Sequence, residues 1–374
     1  MSDSFLSWKR HLFADMDWLN DIQPRAREFL SRLQDPATPD YFSYSLTGDI
    51  FSEHTRQNLA GSIFALKLFH LLGVTNPDLI ADTTQRVLSF QSSDGTFADP
   101  FVLRKRRIRT FLGTLKRGQL PRSIDEDYIR AETRQAYAAL WIHDRLPDFI
   151  PLSVTTDSHE LTSYLSSLDW TNPWSAGSHL SHQLFFLTLL RNTGTIDETT
   201  YTQAVQTIQT FLTGIQQTNG SWYTGSPSAR QRVNGAMKVL SGLTLIGAQA
   251  PDSKALIDLC LTNPAQAQHD ACDQINQILV LRYANEWCGG THRHKEIQAF
   301  CEKTLHEWSV YYHAQVGGFS FHRDAANRHY YGARVTRGLN EPDIHATVLF
   351  FWGLSLMKHL LPHPTLTAIP DILV

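Results

Sequence analysis

The chain has few cysteines and little excess charge for its length. Only four of its 374 residues are cysteine, which excludes the disulfide framework of small secreted domains. Lys and Arg total 33 and Asp and Glu total 36, so no global excess of positive charge favours nucleic acid. With 42% apolar and 18% charged residues, the composition is that of a globular protein and not of a disordered chain.

Targeting and nucleotide-binding signals are also missing. The opening residues, MSDSFLSWKR, do not have the basic-then-apolar order of a secretory signal. The longest apolar stretch follows His345 and ends near Met357, too short for a bilayer, which takes about 20 residues. There is no Gly-rich phosphate loop, dinucleotide fingerprint or Gly-x-Ser-x-Gly elbow. We expect a cytoplasmic protein with no transmembrane segment and no nucleic-acid partner.

A weak repeat along the whole chain predicts two alternating kinds of helix. Six segments begin with polar side chains and continue as apolar helices rich in small residues; they start near Thr55, Glu132, His179, Arg232, Cys272 and Asp343. Between them lie segments with a one-sided apolar pattern, at roughly 24–34, 77–91, 155–168, 198–217, 252–261 and 294–311. Patterns typical of strands are sparse.

This alternation predicts an all-α fold, an (α/α)6 toroid with an inner barrel of apolar helices and an outer ring of amphipathic ones. We expect a single domain over residues 1–374, with the helical repeats at roughly 20–360. The polar starts of the inner helices would meet at one mouth, where their free N–H groups also point. An apolar barrel with a polar mouth suits a ligand that has a long apolar part and a reactive or charged head.

Two turns between helices share the pattern Gln-x-x-x-Gly-x-aromatic. They run from Gln91 to Phe97 and from Gln216 to Trp222, and residues 315–319 are a shortened form. The pattern resembles the QW motif of squalene-type terpene cyclases, which occurs in looser form in protein prenyltransferase β subunits. The resemblance implies a toroid and an isoprenoid-processing enzyme, either cyclase-like (a lyase or isomerase) or transferase-like. Taken alone, the glycine and the aromatic residue have a structural role at a helix end.

The fifth and sixth apolar helices open with the densest set of candidate catalytic side chains: Asp270, Cys272, Asp273, Asp343 and His345. Asp270, Cys272 and His345 are similar to the zinc ligands of prenyltransferase β subunits, so that resemblance implies a catalytic Zn²⁺. Residues 270–273 are similar to the Asp-x-Asp-Asp acid motif of class II cyclases. With Cys272 in the central place, Asp273 or Asp270 would then supply the proton. Any of the three aspartates could instead cap its helix.

Polar and aromatic side chains at the other helix starts and in one turn are candidates for substrate binding: Glu132, Arg134, His179, His182, Arg232, Asn234 and Trp222. A carbohydrate-active α/α barrel, a lyase or hydrolase with aromatic platforms for sugar rings, is the alternative to an isoprenoid enzyme. A non-catalytic toroid that binds a lipid or a protein is a third. An aliphatic and aromatic cavity would favour the isoprenoid enzyme. A shallow polar cleft would favour the carbohydrate-active enzyme, and a filled barrel would favour a non-catalytic scaffold.

Overall fold

Helices make up most of the computed structural model, which describes residues 16–50, 58–107, 124–263 and 271–372. This confirms the prediction of an all-α class. In chain order the helices are α1 (Ile22–Leu33), α2 (Leu59–Leu72), α3 (Pro77–Leu88), α4 (Ile124–Trp141), α5 (Ser158–Ser167), α6 (Pro173–Asn192), α7 (Glu198–Ile215), α8 (Ala229–Leu245), α9 (Ser253–Thr262), α10 (Ala271–Trp287), α11 (His294–Trp308), α12 (Ile344–Met357) and α13 (Pro364–Thr367). Residues 100–107 are also helical.

The two predicted kinds of helix alternate along the chain. The even-numbered helices α2 to α12 are buried over most of their length; in α2 every residue except His70 is buried. The odd-numbered helices α1 to α11 bury one face each, as α1 does with Ala26, Phe29 and Leu33. A helix that is apolar all round needs neighbours on every side, whereas a one-sided helix needs a single packing surface.

The even-numbered helices contact one another in a closed cycle. Each contacts the next from α2 to α12, and α12 contacts α2. Helices α6 and α8 approach closely because they meet at glycines; a Cβ on Gly235 would lie 2.6 Å from Pro173. Among the odd-numbered helices, α1 and α3 pack on α2, α7 on α6, α9 on α8 and α10, and α11 on α10. Buried apolar side chains from Met16 to Ile369 form one cluster.

Two of the buried helices begin earlier than predicted. Helix α4 begins at Ile124 with an acidic first turn, and α6 begins at Pro173, a residue favoured at the first helical position. Glu132 and His179 therefore lie in helix interiors and not at helix starts. Thr55, the predicted start of α2, lies outside the described residues.

Strands are short and occur as antiparallel pairs: β1 (Gln34–Asp35) with β2 (Thr38–Phe42), β3 (Tyr312–His313) with β4 (Gly318–Phe319), and β5 (His329–Tyr330) with β6 (Ala333–Arg334). The irregular segment 320–343, which contains β5 and β6, leads into α12. Among the helices described, none has both the length and the apolar character that a membrane span requires.

The Gln-Gly-aromatic turns are structural. Gln216 and Trp222 face each other as an isolated antiparallel bridge, and Trp222 is 1% exposed. Gly220 adopts φ +80°, and a Cβ there would lie 2.6 Å from the carbonyl oxygen of Asp252. Only glycine fits this approach of two chain segments. Trp222 is therefore buried at this turn, and its predicted role in substrate binding stays a prediction.

Candidate functional site

A cavity of about 420 Å³ lies among the six even-numbered helices, all of which contribute to its wall. This volume is within the range of small-molecule sites, roughly 300–1,000 Å³. Much of the wall is aromatic or aliphatic: Phe64, Trp174, Met237, Ile275, Phe321, Leu349 and Trp352. The remaining wall residues carry polar groups: Arg134, Gln135, Ser181, Lys238, Ser241, Cys272, Asn276, Asn327, His329, Tyr330, Tyr331 and His345.

His345 is held as a neutral imidazole in this wall. Its Nδ1 lies 3.0 Å from the hydroxyl of Tyr44, which accepts a hydrogen bond of 3.2 Å from the side-chain amide of Asn327. The hydroxyl hydrogen of Tyr44 is thus free to be donated to Nδ1, which leaves the imidazole hydrogen on Nε2. Burial, together with the charge of Lys67, lowers the pKa of His345 to about 3. Within the described ranges Nε2 has no protein partner, so it is the nitrogen available to a ligand.

A buried carboxyl group adjoins the wall. The Tyr330 hydroxyl and Oε2 of Glu132 are 2.6 Å apart, and Glu132 has no exposed surface. Burial raises the pKa of Glu132 to about 8, with Asp99 acting in the same direction. The carboxyl is therefore mostly protonated at neutral pH, and among the described residues its Oε1 has no hydrogen-bond partner.

Among the described residues, cations outnumber ionised carboxylates around the cavity. Arg134 lies over the ring of Phe185 at 5.2 Å, and although burial lowers its pKa to about 10, it stays charged. Burial and the charge of Arg134 lower the pKa of Lys238 to about 8, and Lys238 makes no hydrogen bond or ion pair to the described residues. Lys67 donates to Oε1 of Gln135, which lines the wall.

The structure brings together two of the three predicted zinc ligands. Cys272 and His345 both line the cavity, whereas Asp270 lies outside the described residues. In the described part of the chain, no group of three or more His, Cys, Asp or Glu side chains is placed to hold a metal. Arg134 and Lys238 share the cavity with these two side chains, and their charges oppose a dication. The described residues therefore do not make a zinc site, and a site completed by Asp270 stays a prediction.

Asp273 is engaged in an ion pair behind the wall. Its Oδ2 lies 2.7 Å from Nη2 of Arg230, and its Oδ1 accepts a 2.8 Å hydrogen bond from Asn234. Asn234 in turn accepts from Asn276, which lines the cavity. Neither Asp273 nor Asn234 is part of the wall, and both support Asn276; their predicted roles in catalysis and substrate binding stay predictions.

Asp343 is a helix cap. Its Oδ1 accepts from the backbone N–H of Ala346 at the start of α12, and its Oδ2 accepts from the backbone N–H groups of Phe321 and Asn327. Burial raises its pKa to about 7, while these three donors act in the opposite direction. Asp343 therefore caps its helix, which was the alternative to a catalytic role. The same carboxylate also holds the backbone of Phe321 and Asn327, two residues of the wall, in position.

The other predicted substrate-binding residues lie away from the wall. Nδ1 of His179 lies 2.8 Å from both the Tyr164 hydroxyl and Nη1 of Arg130, and Nδ1 of His182 accepts a 3.1 Å hydrogen bond from Nε of Arg130. Burial and the nearby cations lower the pKa of His182 well below its usual value. Arg232 donates to the carbonyl of Pro227. Ser181, between the two histidines, is the residue of this turn that reaches the cavity.

Sequence reasoning missed several residues of the site. Lys67 could have been identified from the sequence, because it is the sole Lys, Arg, Asp or Glu of α2. A lysine is seldom buried in an apolar helix without a specific partner. Lys238 is different, because the sequence already indicated it as a possible anion contact on α8. Tyr44 and Asn327 lie in irregular segments, where no periodicity marks the side that faces the core.

The chain matches no family model, no curated protein and no solved structure. The resemblance to the QW motif therefore rests on the turns themselves. The features that bear on function are those of the cavity: aromatic walls, partly buried cations, a neutral histidine and a protonated carboxyl.

Proposed function

We propose that the protein is an isoprenoid-processing enzyme that encloses the apolar part of its substrate in the cavity of an α/α toroid. The closed cycle of contacts from α2 to α12 supports the toroid. The observation that carries the functional proposal is the cavity of about 420 Å³, lined by all six buried helices and rich in aromatic side chains. A filled barrel would instead have favoured a scaffold.

The wall offers two kinds of chemistry for such a substrate. The rings of Phe64, Tyr330 and Phe321 surround His345 at centroid distances of 4.7, 5.8 and 5.4 Å. Aromatic faces stabilise positive charge, so this region suits a substrate carbon that becomes electron-deficient. Arg134 and Lys238 suit an anionic head, because a cation taken out of water is stabilised by an opposite charge.

Calorimetric titration with matched probes tests this proposal. Geranylgeranyl diphosphate should bind, and geranylgeraniol, which lacks the anionic head, should bind more weakly. Lys238→Met should lower the affinity for the diphosphate and not that for the alcohol, with Arg134 retaining part of the difference. Lys254→Met, an exposed lysine on α9, is the matched control and should change nothing. If neither isoprenoid binds at millimolar concentration, the proposal is wrong.

A carbohydrate-active enzyme is the second candidate, favoured by one observation. With its hydrogen on Nε2, His345 can donate a hydrogen bond to an acidic sugar, and the cation Arg134 in the same wall suits the carboxylate of that sugar. Trigalacturonate in the same titration separates the two candidates. Binding of the oligosaccharide and not of the isoprenoids would support the carbohydrate enzyme.

A further inference from the structure

We infer that Tyr330 passes a proton to the substrate and that Glu132, directly behind it, is the acid that supplies this proton. The inference rests on the proposed function, since it names the proton donor of the same cavity. Tyr330 lines the cavity, whereas Glu132 projects from α4 and is wholly buried. Tyr330 would be the catalytic residue, and Glu132 would act through it.

The hydrogen bond between the two side chains can run in either direction. At 2.6 Å the Tyr330 oxygen and Oε2 of Glu132 form a short contact of the O–H···O type. An ionised Glu132 would take the hydroxyl hydrogen of Tyr330 and turn it away from the cavity. A protonated Glu132 donates to the Tyr330 oxygen, and the hydroxyl hydrogen is then free to point at a ligand.

Local geometry selects the protonated form. In the described part of the chain Oε1 of Glu132 has no donor, and a buried carboxylate oxygen without a donor is costly. A neutral carboxyl avoids most of that cost. The titratable groups that face Glu132 come from several elements. They are Lys67 on α2, Tyr128 on α4, Tyr330 and Tyr331 at the β5–β6 pair, and Asp99 and Tyr44 from irregular segments. Burial, the largest influence on the pKa of Glu132, and the charge of Asp99 favour protonation, while the hydroxyl of Tyr330 and the charge of Lys67 oppose it.

The transfer is balanced without any further reagent. The O–H bond of Tyr330 breaks as its proton forms a bond with the substrate, while the proton on Oε2 of Glu132 moves to the Tyr330 oxygen. The new bond takes its electron pair from a C=C π bond of the substrate, so Tyr330 ends as it began, Glu132 becomes a carboxylate, and the substrate becomes a carbocation that forms the product by losing a proton to water. Lys67 on α2 stabilises that carboxylate, because the attraction between the Lys67 ammonium and Glu132 increases as Glu132 gains negative charge. Glu132 recovers a proton from water after the product leaves.

The backbone holds Tyr330 in place for this role. The next residue, Tyr331, adopts φ +44°, which a non-glycine residue rarely does, and Gly332 follows with φ +83°. Arg106 donates to the carbonyl of Tyr331, and the ring of Tyr330 packs on Phe64 at 5.8 Å. A strained turn fixed at both ends keeps the hydroxyl oriented before the substrate arrives.

Isotope-edited infrared spectroscopy tests the protonation without a substitution. Protein labelled with ¹³C-glutamate should show a protonated-carboxyl band that is shifted by the label and lost near pH 8. Because the label is confined to glutamate, the buried Asp99 and Asp343 do not contribute. Absence of such a band at pH 6 would overturn the inference.

Two substitutions test the relay. In the infrared experiment Tyr330→Phe should move the Glu132 band to higher frequency, because a hydrogen bond is lost, and Glu132→Gln should remove it. Tyr312→Phe and Glu302→Gln are matched controls and should leave the band as it is. A Glu132 band that is unchanged in Tyr330→Phe would overturn the relay, whatever the substrate proves to be.

Turnover of geranylgeranyl diphosphate gives the functional readout. Both variants should lower kcat by roughly 10²–10⁴-fold, the usual range for a positioned acid, with the calorimetric Kd nearly unchanged. The solvent deuterium effect on kcat seen for the parent protein should vanish in them. If kcat is unchanged in Tyr330→Phe, the inference fails while the proposed function stands. If isoprenoids do not bind but the infrared results hold, the proposed function fails and the acid pair stands.

Discussion

Replacing Lys238 by methionine should stabilise the protein at neutral pH. The side chain lies in the cavity wall, and among the described residues nothing pairs with its ammonium group. Burial and Arg134 lower its pKa from 10.5 to about 8, and one pKa unit corresponds to about 1.4 kcal/mol. The charged amine therefore costs up to about 3 kcal/mol, and less in proportion to the water that still reaches it. Methionine fills a similar volume without that cost.

The pH dependence has a definite sign. Between pH 8 and 10.5 the unfolded chain carries a proton on Lys238 that the folded chain has released, so the free energy of unfolding rises with pH over that window. The advantage of Lys238→Met should be largest below pH 8 and should disappear towards pH 10.5. Urea unfolding at pH 7 and at pH 10 measures both values.

The exposed lysine Lys254 supplies the control. Lys254→Met should leave the free energy of unfolding unchanged at either pH, because that amine is already in water. A Lys238→Met protein that is less stable than the parent at pH 7, or equally stable, would refute the view that this cation is desolvated.

Four further substitutions, of which Gly194→Ala is a control, test the structural assignments. Gly220→Ala should lower the free energy of unfolding by about 2 kcal/mol or more, since φ is +80° and the new Cβ meets a backbone oxygen at 2.6 Å. Gly194 has φ +70° but open space around it, so Gly194→Ala should cost about 1 kcal/mol in the same urea experiment. Asp343→Ala should cost about 3 kcal/mol, because it leaves three buried N–H groups without an acceptor, and calorimetric melting would show it. Asp273→Asn should weaken the contact to Arg230 and lower the melting temperature, while proton transfer stays intact. A loss of turnover with an unchanged melting temperature would instead indicate that Asp273 is the catalytic acid.

The helices were predictable because their periodicity is local. The amphipathic segments predicted at roughly 77–91 and 294–311 became Pro77–Leu88 and His294–Trp308. The starts of α4 and α6 were predicted too late, since polar side chains inside a buried helix were taken for its first turn. Pro173 indicated the true start of α6, because proline is favoured at the first position of a helix.

The site was predictable only in part. His345 and Cys272 were identified because they are reactive side chains at the starts of apolar helices, and both reach the cavity. The partner of His345 is Tyr44, 301 positions away along the chain, and no local pattern reports such a contact. Glu132 was a candidate for substrate binding, and its pairing with the Tyr330 hydroxyl, 198 positions away, has no local pattern either.

The contact between α12 and α2 has a consequence for unfolding. In an open array of helical repeats, the end repeats have one neighbour each and can separate while the rest stays folded. Here every even-numbered helix packs between two others, so detaching any one of them exposes an apolar flank on both sides. Among the even-numbered helices there is therefore no end from which unfolding can start, and we expect these helices to melt together.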